Sequence, residues 1–289
     1  MRDLADRVAV ITGGAGGVGR ALADRCGREG MHIVLADVFA GPLDDAVSEL
    51  QSCGVDAIGV VADVSDYDDV TRLADAAYDR FGAVHLLCNN AGVGAGARGR
   101  IWEHTLNDWG WGLSVNLWGV IHGIKAFVPR MLAGGDDGHV VNTSSGNGGI
   151  APLASTAVYA TSKAAVTTVS EVLYAQLRAA GARIGVSVLF PGPKVLKTGL
   201  LTSAQHRPQR WADATPAAAP TTIDEVEDRL RAAGVEPDYT PVADVADEAV
   251  AGIRAGRFWI LPASERTDDR IRARAASMLA RAAPDYMEA

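Results

Sequence analysis

A chain of 289 residues, 48% of them hydrophobic, can bury a substantial core, and its formal net charge of −8 argues against nucleic acid or an anionic membrane as the main partner. No apolar run reaches the length of a membrane span, and the start Met-Arg-Asp-Leu-Ala-Asp lacks the apolar core of a signal peptide, so a cytoplasmic protein is expected. Cys26, Cys53 and Cys88 show no CxxC pairing and read as reduced packing residues, and His32, His85, His104, His122, His139 and His206 form no HxxxH or HExxH set that would support a metal site.

The run Val8-Ala9-Val10-Ile11 reads as a strand. It meets Thr12-Gly13-Gly14-Ala15-Gly16-Gly17-Val18-Gly19, and a helical pattern begins near Arg20. Glycines in that context let the backbone approach a pyrophosphate, and the following helix points its unpaired N–H groups and positive dipole end at the anion. A second strand, Ile33–Asp37, ends in Asp37, where an acid grips the ribose hydroxyls of NAD. A carboxylate there repels the 2′-phosphate of NADP, and neither Thr12 to Gly19 nor Asp37 to Pro42 offers an Arg or Lys to receive it, so NAD(H) is the expected cofactor.

Further strands are expected at Ala57–Val61, Leu86–Asn89, His139–Thr143, Ile184–Leu189 and Phe258–Leu261, with helical patterns between them. The alternation predicts a single α/β domain over residues 1–289: a Rossmann-like, doubly wound parallel sheet of about seven strands with helices on both faces. Asp37, Asp63, Asn90, Ser145 and Pro191 stand at or just past strand ends and should converge on one rim, where ligands gather in such sheets.

Tyr159 and Lys163 lie four residues apart within Ser155 to Glu171, a segment without Gly or Pro. On a helix both side chains emerge on one face, so an ammonium can lie beside a phenol, lower its pKa and fit it for acid–base work. The segment Ala154–Leu177 is apolar and rich in small residues around much of its circumference, which suggests that it also faces another subunit.

In this order the motifs resemble the short-chain dehydrogenase/reductase family, in its one-domain branch, over Arg7 to about Thr198 plus the terminal strand. The resemblance implies that Gly13, Gly17, Val18 and Gly19 form the cofactor loop and that Asp63 and Val64 contact adenine. It makes Asn90, Ala91 and Gly92 the signature after the fourth strand, and Pro191 and Gly192 the turn after the sixth. Tyr159 would be the general acid/base, and Lys163 would lower its pKa and bond the nicotinamide ribose. Ser145 would hold the carbonyl oxygen, with Ser144 as the alternative donor. Asn116 would anchor a water leading to Lys163, and Thr198 would meet the nicotinamide carboxamide. Asn116 sits in a helix interior, where Asn is mildly disfavoured.

The implied activity is NAD-dependent interconversion of a secondary alcohol and a ketone by a homodimer or homotetramer. Ile150, Pro152 and Leu153 suggest a fairly apolar substrate. The alternatives are a lyase or epimerase that retains NAD, since Gly13, Gly16 and Gly19 also satisfy the spacing of a longer branch, and a catalytically silent nucleotide-binding regulator.

Ser145 and Tyr159 are one position further apart than is commonest in the family, so Gly146–Thr156 must bulge, and Thr198 falls two positions later than usual. Residues 198–241 read as an insertion that overhangs the rim as a mobile substrate lid, with Ala212 to Pro220 irregular and a helix opening at Thr222 with an apolar stripe at 223, 226 and 230. Trp102, Trp109, Trp111 and Trp118 read as packing or interface residues. Arg270 to Arg281 reads as the solvated face of a helix.

Overall fold

The computed structural model describes residues 1–96, 99–212, 222–232, 234 and 236–287. Seven strands, β1 (Val8–Thr12), β2 (His32–Asp37), β3 (Ala57–Val61), β4 (Leu86–Asn89), β5 (Gly138–Thr143), β6 (Ile184–Leu189) and β7 (Trp259–Ile260), form one sheet in the order β3-β2-β1-β4-β5-β6-β7. Every pairing is parallel. The expected Rossmann-like architecture is therefore present.

The described helices are α1 (Gly17–Arg28), α2 (Ala40–Ser52), α3 (Tyr67–Phe81), α4 (Leu106–Leu113), α5 (Gly119–Gly134), α6 (Ala157–Ala179), α7 (Ile223–Ala232), α8 (Val242–Ala255) and α9 (Glu265–Ala280). Successive strand residues point to opposite faces, which is why each strand feeds two cores. Ile11, Ile33 and Leu35 pack on one face with Leu22, Leu43, Leu50, Val245 and Ile253 from α1, α2 and α8. Val10, Val34, Val140 and Val186 pack on the other with Leu73, Phe127, Met131 and Leu177 from α3, α5 and α6. β1 and β4, covered on both faces, are buried throughout, whereas β3 at the edge has only its first residue buried and then alternates half-buried and exposed positions. The direction of winding reverses between β1 and β4, so a crevice opens beyond their carboxyl ends.

The differences from expectation are local. The first turn of α1 is closed by Arg20 N–H on the Gly16 carbonyl at 3.2 Å, so the helix starts inside the glycine run rather than near Arg20. β7 is two residues long because it pairs only with Val188 and Leu189 of β6. Thr222 Oγ1 accepts from Glu225 N–H at 3.2 Å and opens α7 as expected. The expected irregular stretch Ala212 to Pro220 lies, beyond Ala212, outside the described residues, as does the Val226 side chain. Among the described residues no helix is long and apolar enough to cross a membrane.

Candidate active site

The glycine loop is held by contacts that leave no room for side chains. Gly13 has φ +66°, and a Cβ there would lie 2.9 Å from Ala91 Cα; one on Gly19 would lie 2.0 Å from the Gly13 carbonyl oxygen. A Cβ on Gly16 would meet nothing within 4 Å. Gly16 caps α1 without a side-chain hydrogen bond, and the first turn carries no acid, so the N–H groups of this turn, around Gly17 and Val18, are not consumed by the helix's own side chains. Such a cradle fits a pyrophosphate.

Asp37, at the end of β2, accepts from Ala15 N–H at 3.1 Å through Oδ2 and from Val38 N–H at 2.8 Å through Oδ1. Its carboxylate is thereby fixed between the loop and the start of the β2–α2 connection. Thr12 Oγ1 accepts from Asn90 N–H at 3.0 Å and Ala91 N–H at 3.1 Å, and Asn90 Nδ2 donates to the Thr12 carbonyl at 3.0 Å. These bonds tie the segment after β4 to the loop. Gly92 abuts the Asn116 side chain and the Lys163 amine. Asp63 follows β3, and Val64 is buried against Gly119, where a Cβ would lie 2.8 Å from Val64 Cγ2.

Asn116 is fully buried in a π-helical turn, Ser114–Trp118, that joins α4 to α5. Its Oδ1 accepts from Val93 N–H at 2.8 Å, while Nδ2 donates to the Val93 carbonyl at 2.9 Å and to Ser162 Oγ at 3.1 Å. The polar residue is affordable in a helix because every bond it makes braces the chain after β4 against α6. Widened turns of this kind are frequent at functional sites.

Lys163 is 3% exposed; its Nζ donates to the Thr143 carbonyl at 2.9 Å and lies 5.8 Å from the centre of the Tyr159 ring. Burial pulls its pKa down to about 8. Burial pushes the Tyr159 pKa up, and the Ser145 hydroxyl acts on it in the opposite direction. The lowering expected from the neighbouring ammonium is therefore not what sets the balance; desolvation of the phenolate is the largest influence. Ser145 Oγ also accepts from Asn147 N–H at 3.1 Å. Ser144, the alternative donor, is buried and committed elsewhere: its Oγ donates to the Lys163 carbonyl at 2.8 Å and pairs with Thr167 Oγ1 at 2.9 Å.

The extra residue between Ser145 and Tyr159 is taken up by a widened turn at Gly146–Ile150, in which Gly148 has φ +99° and a Cβ would lie 2.1 Å from the Ala160 carbonyl oxygen. Pro191 and Gly192 follow β6 on the same rim. Thr198 lies over the glycine loop, its Cγ2 3.2 Å from where a Gly17 Cβ would stand. The candidates of the glycine loop, Asp37, Asp63, Asn90, Ser145 and Pro191 thus stand at or just past the carboxyl ends of β1 to β6.

Three arginine contacts were not foreseen from sequence. Arg210 Nη2 reaches Asp63 Oδ2 at 2.7 Å. Arg270 donates to the Ala151 carbonyl at 2.9 Å, and Arg274 donates to the Ile150 carbonyl, so α9 is not merely a solvated face. Trp111 is buried, and with Trp109, Trp211, Ala95 and Val158 it forms a small core under residues 199–212; Trp102 and Trp118 are exposed. Charged residues of opposite sign, far apart in the chain, carry no local pattern that would announce such pairs. Among the described residues no group of three or more His, Cys, Asp or Glu converges as metal ligands.

The short chain dehydrogenase family model matches residues 7–209, and the chain belongs to that family. It is 36% identical to a C alpha-dehydrogenase of a Sphingobium species over 266 residues, covering 92% of this chain and 83% of that protein. A crystal structure of a short chain dehydrogenase/reductase from Burkholderia phymatum in complex with NAD matches with a TM-score of 0.88 and 39% identity, covering 98% of both chains. A metagenomic short-chain oxidoreductase in complex with NADP matches with a TM-score of 0.61 and 30% identity, over 66% of this chain and 84% of that one. The protein is an oxidoreductase of the class that acts on CH–OH groups with a nicotinamide cofactor.

Proposed function

We propose that this enzyme interconverts a secondary alcohol and a ketone with NAD(H), with Tyr159 exchanging the proton at the substrate oxygen. The observation that carries the reading is the placing of Lys163, buried on the Thr143 carbonyl with its Nζ 5.8 Å from the centre of the Tyr159 ring, beside the Ser145 hydroxyl that acts on the phenol. When bound, the nicotinamide supplies or accepts the hydride at the substrate carbon.

The chain's own residues do the rest. In reduction the Tyr159 hydroxyl donates its proton to the carbonyl oxygen; in oxidation the phenolate accepts one from the alcohol. Ser145 donates a second hydrogen bond to that oxygen and stabilises the charge that develops there. Lys163 holds a proton behind Tyr159, and a pKa near 8 lets that proton exchange close to neutral pH. We assign Asn116 to a positioning role: its side chain is committed to Val93 and Ser162, so a water leading to Lys163 would have to be held by the backbone of its π turn.

Gly13, Gly17, Val18 and Gly19 would cradle the pyrophosphate; Asp37 the adenosine ribose; Asp63 and Val64 the adenine; Asn90, Ala91, Gly92, Lys163, Pro191, Gly192 and Thr198 the nicotinamide half. The fixed Asp37 carboxylate favours NAD over NADP, and the NAD complex of the Burkholderia phymatum relative agrees with that choice.

Residues 198–241 act as a substrate lid in this reading. The insertion leaves and rejoins the body at one neck, where Thr240 N–H donates to the Val195 carbonyl at 3.0 Å and Lys194 N–H donates to Thr240 Oγ1 at 3.0 Å. The partly buried Ile150, Pro152 and Leu153, in the turn after β5, favour an apolar substrate. Exposed Leu132 and Val172, on α5 and α6, suit assembly into a homodimer or homotetramer. Free Cys26, Cys53 and Cys88 suit the cytoplasm.

The test is a panel of secondary alcohols and ketones followed by nicotinamide absorbance with each cofactor. Turnover of an apolar member with higher kcat/KM for NAD(H) is expected. Equal or better efficiency with NADP(H) would overturn the cofactor choice.

A further inference from the structure

The segment after β6 crosses the crevice as a strap that touches the body at successive points. Thr198 rests on Gly17 of the glycine loop. Ser203 Oγ accepts from Gly94 N–H at 2.8 Å, and the His206 ring packs edge-on against Phe39, two residues past Asp37, at 4.7 Å. Trp211 lies on Gly110 so closely that a Cβ there would fall 2.1 Å from its ring. Between His206 and Trp211 the strap delivers Arg210 to the end of β3, where Nη2 bonds Asp63 Oδ2 at 2.7 Å and Ser65 Oγ at 2.8 Å.

The bonding of Asp63 makes this more than a surface ion pair. Its Oδ1 accepts from Ser65 N–H at 2.9 Å and from Ser65 Oγ at 2.6 Å, whereas the donor on Oδ2 is Arg210. A carboxylate offers about four acceptor positions, two per oxygen, so Oδ2 can take one more donor with Arg210 in place. Burial raises the pKa of Asp63, and the bonds from Ser65 and Arg210 outweigh it and hold the carboxyl below its usual range, so it stays an acceptor at neutral pH. An exocyclic purine amine is a donor of the required kind. A guanidinium anchored beside it is planar, cationic and able to lie against an aromatic ring.

We infer that Arg210 is a cofactor-binding residue: anchored on Asp63 and Ser65, it closes the adenine end of the dinucleotide crevice and couples closure of the strap to occupancy of that end. The inference rests on the proposed NAD reading. It adds a residue one position beyond the segment 7–209 that the family model matches.

Isothermal titration of the purified full-length protein separates the two halves of the cofactor. AMP probes the adenine end, reduced nicotinamide mononucleotide the other end, and NADH both. Arg210→Met, which keeps the length of the side chain, should weaken AMP and NADH binding about tenfold, the scale of a partly desolvated cation–π contact, and leave the mononucleotide unchanged. Arg210→Lys should recover part of the AMP affinity. The melting temperature without ligand should move little, because the Arg210 side chain is 55% exposed. Unchanged AMP affinity in Arg210→Met would overturn the inference. So would equal weakening of all three ligands, which would mean that the strap had only come loose. Failure of the unaltered protein to bind either AMP or NADH would instead overturn the NAD reading on which the inference rests.

Discussion

Lys163 Nζ lies 5.8 Å from the centre of the Tyr159 ring and donates to the Thr143 carbonyl at 2.9 Å, so the cation is fastened to β5 rather than to the phenol beside it. The amine is thereby placed behind the reacting hydroxyl, in a setting dry enough to bring its pKa to about 8.

That value is open to direct titration, because the other lysines are only Lys125, Lys194 and Lys197. With 13C-labelled lysine, one side-chain resonance should titrate near pH 8 and vanish in Lys163→Met. The sign for stability follows. Between about pH 8 and pH 10.5 the unfolded chain keeps a proton that the folded site has released, so this group's contribution to stability rises with pH across that window. Below it the buried charge costs on the order of 3 kcal/mol, so Lys163→Met should gain stability at pH 7 and lose that advantage toward pH 10. A lysine set with no titration between pH 7 and 9 would contradict the assignment.

Gly19 and Gly16 should behave oppositely. Gly19→Ala forces a Cβ to within 2.0 Å of the Gly13 carbonyl oxygen, a backbone collision that no rotamer relieves. It should destabilise the fold by ~1–3 kcal/mol and weaken NADH binding roughly 100-fold, as measured by melting and by fluorescence titration. Gly16→Ala, with nothing within 4 Å, should melt like the parent. Equal melting temperatures for both variants would contradict the packing of the loop.

Asp37→Asn keeps the shape of the side chain while removing its charge. The Ala15 N–H retains an acceptor, and the repulsion of a 2′-phosphate disappears. The ratio of kcat/KM for NADH over NADPH should fall about tenfold. An unchanged ratio would assign the choice of cofactor to another residue.

Arg270 and Arg274 pin the carbonyls of Ala151 and Ile150, in the loop that the extra residue between Ser145 and Tyr159 widens. Replacing both with Met should raise the substrate KM about tenfold and leave the dissociation constant for NADH unchanged, since neither residue approaches the glycine loop. Parallel changes in both constants would show that α9 supports the whole domain rather than this loop.

The strands were readable because a doubly covered parallel sheet demands continuous apolar runs, as in Val8–Ile11 and Ile33–Ala36. The glycine loop and the Tyr159/Lys163 spacing were readable because each encodes its geometry locally. The π turn at Asn116 was not, since it is fixed by bonds to Val93, 23 residues away. The same holds for Arg210 and Asp63, 147 residues apart. The spacing of Tyr159 and Lys163 does not by itself give the balance of the phenol's pKa, because desolvation by the tertiary surroundings is not encoded in spacing. Ser145 and Ser144, adjacent in sequence, were separated only by the structure, which turns one toward Tyr159 and the other onto the Lys163 carbonyl.

The central claim is that the Tyr159 hydroxyl moves the proton. Tyr159→Phe removes that one atom and leaves the ring, Ser145 and Lys163. With any substrate the parent turns over, kcat should fall by roughly three orders of magnitude or more while NADH binds with unchanged affinity in fluorescence titration. Turnover within about tenfold of the parent, with the cofactor still bound, would show that another group carries the proton.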